Sequence, residues 1–223
     1  MNLIEYPDID MLMINLANRL AGELRQALSH EDRVSLAVPG GTTPGPMFDD
    51  LCAADLDWSR VDVMLTDERW VPETSDRSNT RLIRERLLTD RASAARYLPL
   101  YNGAETPEDG LAGIEAGLAP SLPIDVLLLG MGTDMHTASI FPGADRLHDA
   151  LHGDAILVPM RAPGAPEPRV TLSARVLRDA MSTHILITGA EKRAAIERAR
   201  DLSPEEAPVS VVLRNATIHW VEG

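Results

Sequence analysis

The sequence predicts an α/β fold: a Rossmann-like, mainly parallel sheet flanked by helices on both faces, with a small peripheral β element. Three observations carry this. The apolar run at residues 126–129 lacks polar alternation, the mark of a strand buried on both faces, and short strand-like stretches at 34–38 and 61–65 accompany it. Helical stretches separate these runs, as a parallel sheet requires. Glycines follow three strand-like runs closely, at Gly40-Gly41, at Gly130 and Gly132, and at Gly189, where strand-to-helix turns would fall.

Each element has its own signal. Residues 9–29 place Ile9, Leu12, Met13, Leu16, Leu20, Leu24 and Leu28 three or four apart, a helical stripe. The strand at 34–38 runs into Gly40-Gly41-Thr42-Thr43-Pro44 and a helix over about 47–54. The strand at 61–65 ends in Thr66-Asp67-Glu68-Arg69-Trp70-Val71-Pro72, whose polar groups must line a cleft or pair with one another. Ser78 caps a helix reaching about residue 88. Residues 97–100 read as a peripheral strand because of Pro99, and a helix spans about 107–118. A strand at 155–160 and a Pro-rich loop at 161–168 follow. Arg169-Val170-Thr171-Leu172-Ser173 is expected to open a helix. The strand from residue 183 leads through Gly189 into another helix, and residues 209–213 and 216–221 are expected to be two strands. The 97–100 strand and these last strands are assigned to the peripheral sheet. Residues 1–223 are read as a single domain.

Composition excludes several function classes. A hydrophobic content of 44% rules out a disordered chain, and no apolar run approaches the ~20 residues of a membrane span. The first residues lack a basic segment followed by an apolar one, so a cytoplasmic location is expected. Cys52, the one cysteine, sits in a helical context as a packed thiol. The net charge of −13, from 34 acidic against 21 basic residues, argues against nucleic-acid or anionic-membrane partners. An anionic substrate must therefore meet a local cluster of positive groups. Lys192 is the one lysine among those basic residues. No His, Cys or carboxylate spacing matches a zinc site, and no metal or cofactor is expected. His184 and His219 fall in strands and are expected to be structural; His30, His148 and His152 fall in polar surroundings.

Two stretches carry chemistry. In Gly130-Met131-Gly132-Thr133-Asp134-Met135-His136, an Asp and a His follow a buried strand at the sheet edge where open α/β folds bind ligands. Imidazole suits proton transfer near neutral pH. The Gly40-Gly41-Thr42-Thr43 turn offers backbone N–H groups and hydroxyls in the geometry that cradles phosphate. It is not a Walker A loop, since no Gly-Lys-Ser/Thr follows. For Thr66-Asp67-Glu68-Arg69-Trp70-Val71-Pro72, an Asp67–Arg69 pair is the structural alternative to a cleft lining.

Taken together with Ser78-Asn79, Phe141-Pro142-Gly143, Arg169-Val170-Thr171 and Gly189-Ala190-Glu191-Lys192, these motifs resemble, in order, the bacterial 6-phosphogluconolactonase family, a relative of glucosamine-6-phosphate deaminase. The resemblance covers nearly the whole chain. It implies a sugar-phosphate substrate held over the sheet's carboxyl edge, with no cofactor and a monomer or small homo-oligomer. Gly40, Gly41, Thr42 and Thr43 would hold the phosphate, with Arg169 and Lys192 supplying charge. His136 would activate water for attack on the lactone carbonyl and return the proton to the ring oxygen. Asp134 would orient His136 or bind substrate hydroxyls. Arg69 would stabilise the oxyanion or clamp the substrate, and Asp67 would bind a hydroxyl or hold Arg69.

The chain departs from the family pattern in two places. The usual Gly-Pro-Asp-Gly-His has Thr133 for proline and Met135 for glycine, and a positive φ there would strain a methionine. The usual Ser-Asn-Tyr-Arg reads Ser78-Asn79-Thr80-Arg81. Two other readings remain. A deaminase would follow Asp-Gly-His with an Asn-Glu-Pro element, whereas Ile140-Phe141-Pro142 carries no carboxylate there. A non-catalytic sugar-phosphate sensor is favoured only by Met135.

Overall fold

The computed structural model describes all of residues 1–223. Seven strands form a parallel sheet: β1 (Asn2–Glu5), β2 (Val34–Val38), β3 (Val61–Leu65), β5 (Arg96–Leu98), β6 (Val126–Gly130), β9 (Ser182–Thr188) and β10 (Thr217–Val221). Their order is β1-β10-β9-β6-β2-β3-β5. The chain builds outward from β2 through β3 to β5, then crosses to the other side of β2 with β6. That reversal creates the crevice in which α/β folds bind ligands. The second sheet is antiparallel, in the order β4 (Asp67–Arg69), β8 (Arg169–Leu172) and β7 (Leu157–Met160). Two backbone hydrogen bonds at Thr66 join it to the large sheet's edge. Thr66 N–H donates to Val38 at 3.0 Å, and the Thr66 carbonyl accepts from Leu172 N–H at 2.9 Å.

Residues of β2 and β3 are buried along their whole length, the polar Ser35 and Asp62 included. Helix α1 (Ile9–Leu28) begins at Asp8, whose carboxylate accepts from the Met11 N–H. Its stripe of Leu12, Leu16, Leu20 and Leu24 is wholly inaccessible to solvent. Each such leucine contributes about 2 kcal/mol by burial. The helix packs on β2, β6 and β10. No helix is long and apolar enough to cross a membrane.

Four expectations are corrected. Residues 210–213 form a short helix rather than a strand: after Pro208 the amides of Ser210, Val211 and Val212 bond three residues back, closing turns before a ladder can form. Arg169–Leu172 is strand β8, not a helix start; it pairs with both β4 and β7, and the helix begins at Ala174. The Tyr97 strand is the outer edge of the main sheet, and the final strand lies inside it between β1 and β9. The peripheral sheet is therefore built from other residues than expected. Strand β1 has no alternating or continuous apolar signal in its sequence and gains its order from β10 alone.

Candidate active site

The site lies where the carboxyl ends of β2, β6 and β9 meet the small sheet. A cleft of about 240 Å³ is lined there by Gly40, Gly41, Thr43, Asp67, Arg69, His136, Arg169 and Lys192, among others. These residues lie far apart in sequence and are gathered by the crossover. Thr42 is exposed and lies outside the lining. Asp134 reaches the cleft only through His136.

The loop after β2 is built to receive an anion. The amides of Gly40, Gly41, Thr42 and Thr43 make no hydrogen bond within the protein, so consecutive donors remain for a ligand. Gly41 sits at φ 85°, a conformation that favours glycine. Gly40 is required for another reason. A Cβ there would fall 2.0 Å from the Asn79 side-chain oxygen. Asn79 also lines the cleft and donates through Nδ2 to the Asp67 carbonyl at 3.1 Å. Lys192 lies in the first turn of the helix Ala190–Ala199, just beyond Gly189, which takes φ 88°.

His136 is fixed by the tight loop 132–138. Its Nδ1 lies 2.5 Å from the Asp134 carboxylate, which also accepts from the His136 amide at 3.1 Å. The Nε2 atom makes no protein hydrogen bond and is free for a proton transfer. The ring lies against Phe141 with centroids 4.3 Å apart, and the Arg169 guanidinium stands 5.3 Å over the same phenyl ring. Phe141 thus touches both functional groups. Met135 adopts φ 65° and Ala138 φ 50°, so the methionine does occupy a left-handed backbone position. The Met135 carbonyl accepts from the Val209 N–H at 3.0 Å, which ties the loop to the C-terminal segment.

Asp67 and Arg69 do not form the structural pair. The Asp67 carboxylate accepts from the buried Ser139 hydroxyl at 2.5 Å and from Thr66 Oγ1 at 3.2 Å. Arg69 instead donates to the Arg77 carbonyl at 2.6 Å. Arg69 and Arg169 face each other directly across β4 and β8. Their Nε atoms are both buried without a partner, an arrangement that an incoming anion would satisfy. Burial is the main cause that holds the Arg169 pKa below the usual guanidinium value, with the charge of Asp67 opposing it.

Glu68, between them in sequence, points away into the protein and is fully inaccessible. It accepts from the amides of Arg69, Asn79 and Thr80 and from Thr80 Oγ1, each at 2.8 Å. Burial pushes its pKa up against the lowering effect of these donors. Asn79, Ser139 and Phe141 were visible in sequence only as parts of motifs. Their roles depend on contacts across long sequence separations, and no local pattern reveals them.

The fold and the cleft define a class: an open α/β protein whose crevice presents free amides, two guanidiniums, an ammonium and an imidazole–carboxylate pair. Residues 7–220 match the family of glucosamine-6-phosphate isomerases and 6-phosphogluconolactonase, and the chain belongs to that family. It is 42% identical to a 6-phosphogluconolactonase of Rhizobium meliloti, covering 99% of this chain and 97% of the relative. A second 6-phosphogluconolactonase, from Pseudomonas aeruginosa, is also 42% identical, over 92% of this chain and 88% of its own. Among solved structures, a 6-phosphogluconolactonase from Shewanella baltica superposes with a TM-score of 0.94 at 32% identity, covering 99% of this chain and 97% of that one.

Proposed function

We propose that this protein hydrolyses 6-phospho-D-glucono-1,5-lactone to 6-phospho-D-gluconate without a metal or cofactor. The observation that carries the reading is the His136–Asp134 pair standing in one cleft with the unpartnered amides of residues 40–43. The substrate has a reacting carbonyl at one end and a phosphate at the other. The cleft offers a proton acceptor and a set of anion donors to match. Relatives named 6-phosphogluconolactonase support the same substrate.

The Gly40–Thr43 amides and Lys192 hold the phosphate, and Arg169 adds its charge. His136 Nε2 takes a proton from water as the oxygen attacks C1. Asp134 accepts from Nδ1–H, fixes the tautomer and stabilises the imidazolium that forms. Negative charge then develops on the carbonyl oxygen, and the Arg69 guanidinium stabilises it. As the tetrahedral intermediate collapses, the C1–ring oxygen bond breaks and the imidazolium returns its proton to that oxygen. Asp67, held by Ser139, binds a substrate hydroxyl. The family also contains deaminases, but Ile140-Phe141-Pro142 places no carboxylate where that chemistry needs one.

Base uptake in a pH-stat on freshly generated 6-phosphogluconolactone tests this. The expected result is turnover far above the spontaneous rate, with no ammonia released from glucosamine 6-phosphate. Lactone loss at the spontaneous rate would overturn the reading.

A further inference from the structure

Arg169 is held in an unusual state for a buried cation. Its side chain is 12% exposed, yet its nearest carboxylates stand off at 3.8 Å for Glu167 and 4.0 Å for Asp67. Those separations are too long for hydrogen bonds. Glu167, two residues earlier on the same chain, is instead engaged by Arg77, whose Nε and NH2 atoms reach its two oxygens at 2.8 and 2.7 Å. That bidentate fork is the strongest pairing a carboxylate can make with arginine.

We propose that Arg77 is a decoy partner for Glu167: by occupying both carboxylate oxygens it keeps Glu167 off Arg169 and leaves Arg169 free for the substrate's anionic group. The inference rests on the reading of Arg169 as an anion ligand given above. The residues are suited to these roles. Glu167 at 3.8 Å offsets the repulsion between the opposed Arg69 and Arg169 guanidiniums in the empty cleft, without consuming the donors needed for binding. Arg77 is 45% exposed and can hold its carboxylate from the solvent side, outside the cleft lining. Without Arg77, a small rotation of Glu167 would complete an internal ion pair with Arg169, which would compete with the ligand.

Calorimetric titration with 6-phosphogluconate, and separately with inorganic phosphate, would test this in wild type, Arg77→Ala, Glu167→Gln and the double variant. Arg77→Ala is expected to raise Kd about tenfold, the size of one lost charge-assisted contact. Glu167→Gln should bind at least as tightly as wild type, and the double variant should recover to within about twofold of it. Recovery also shows that the cleft folds without the Arg77 side chain. Arg77→Lys, which keeps the charge but lacks the fork, should weaken binding less than Arg77→Ala. An unchanged Kd in Arg77→Ala, or a double variant as weak as Arg77→Ala, would overturn the proposal. If wild type binds neither ligand, the anion-binding reading of the cleft fails instead. Because the readout is binding, a failed lactonase reading shows separately as absent turnover.

Discussion

Two residues show how the His136 loop is shaped. A Cβ on Gly132 would lie 2.3 Å from the His136 ring and 2.6 Å from Asp134 Oδ1, so only glycine leaves room for the pair in this position. Gly132→Ala is therefore expected to displace the imidazole and lower kcat by about tenfold or more, since ångström-scale misplacement is costly in catalysis. Steady-state kinetics checks this, with the circular dichroism spectrum expected to match wild type. An unchanged kcat would mean that the imidazole's position is not critical. Met135 stands where the family has glycine and keeps the left-handed backbone all the same, at a cost of about 1 kcal/mol. Turn bonds from Met135 N–H to the Gly132 carbonyl and from Gly132 N–H to the His136 carbonyl hold it there. The pairing of His136 with Asp134 was legible because they are two residues apart after a buried strand. The sequence could not assign Ser139 or Asn79, whose partner Asp67 lies 72 and 12 residues away.

At the scale of elements, the site depends on the helix Asn79–Arg86 being held against β4. Glu68 does this by capping the helix's first amides while also binding the amide of Arg69. Every donor around it needs an acceptor. Glu68→Gln would turn an NH2 group toward some of them and leave buried donors unpaired, at a cost of about 1–3 kcal/mol. Urea denaturation should show that loss of stability. No change in the midpoint would mean that the cap is not needed. The helix itself was legible from Ser78, whose hydroxyl accepts from the Arg81 N–H as its capping position demands. The carboxylate that clamps it was not, because Glu68 in sequence looks like one more charged group in a cleft motif. Strand β8 was missed for a related reason. Val170 and Thr171 favour a strand, but four residues between a Pro-rich loop and a helix are too short a run to signal one, and the strand state is set by pairing on both sides.

For the whole molecule, the far strands are joined to α1 by a buried polar chain. Glu23 accepts from His184 Nε2 at 2.8 Å, His184 Nδ1 lies 3.0 Å from His219 Nε2, and His219 Nδ1 lies 2.8 Å from the Tyr6 hydroxyl. With Glu23 ionised, one assignment satisfies every atom: each imidazole is neutral and donates toward Glu23, and Tyr6 donates to the last nitrogen. The structural reading of the two strand histidines therefore holds. Burial, with His184 adding to it, pushes the His219 pKa down to about 3, against about 6.5 when unfolded. Between those values the unfolded chain takes up a proton that the folded one refuses. Stability is full above about pH 6.5 and falls as the pH drops through that window, at up to about 1.4 kcal/mol per unit. His219→Gln should flatten this acid loss, read as the difference in urea midpoint between pH 7 and pH 5. Equal losses in variant and wild type would show that the chain is not the acid-sensitive element. The parallel sheet itself was legible from its buried runs. The strand order was not, since it depends on which edges remain free once β2 and β3 have paired.

The central claim is that His136 moves the proton in lactone hydrolysis. The kcat of His136→Ala in the pH-stat assay, beside wild type, tests it most directly. A drop of about two orders of magnitude or more, with KM little changed, is the predicted result. A variant that keeps most of the wild-type kcat would contradict the account and assign the proton transfer to another group in the cleft.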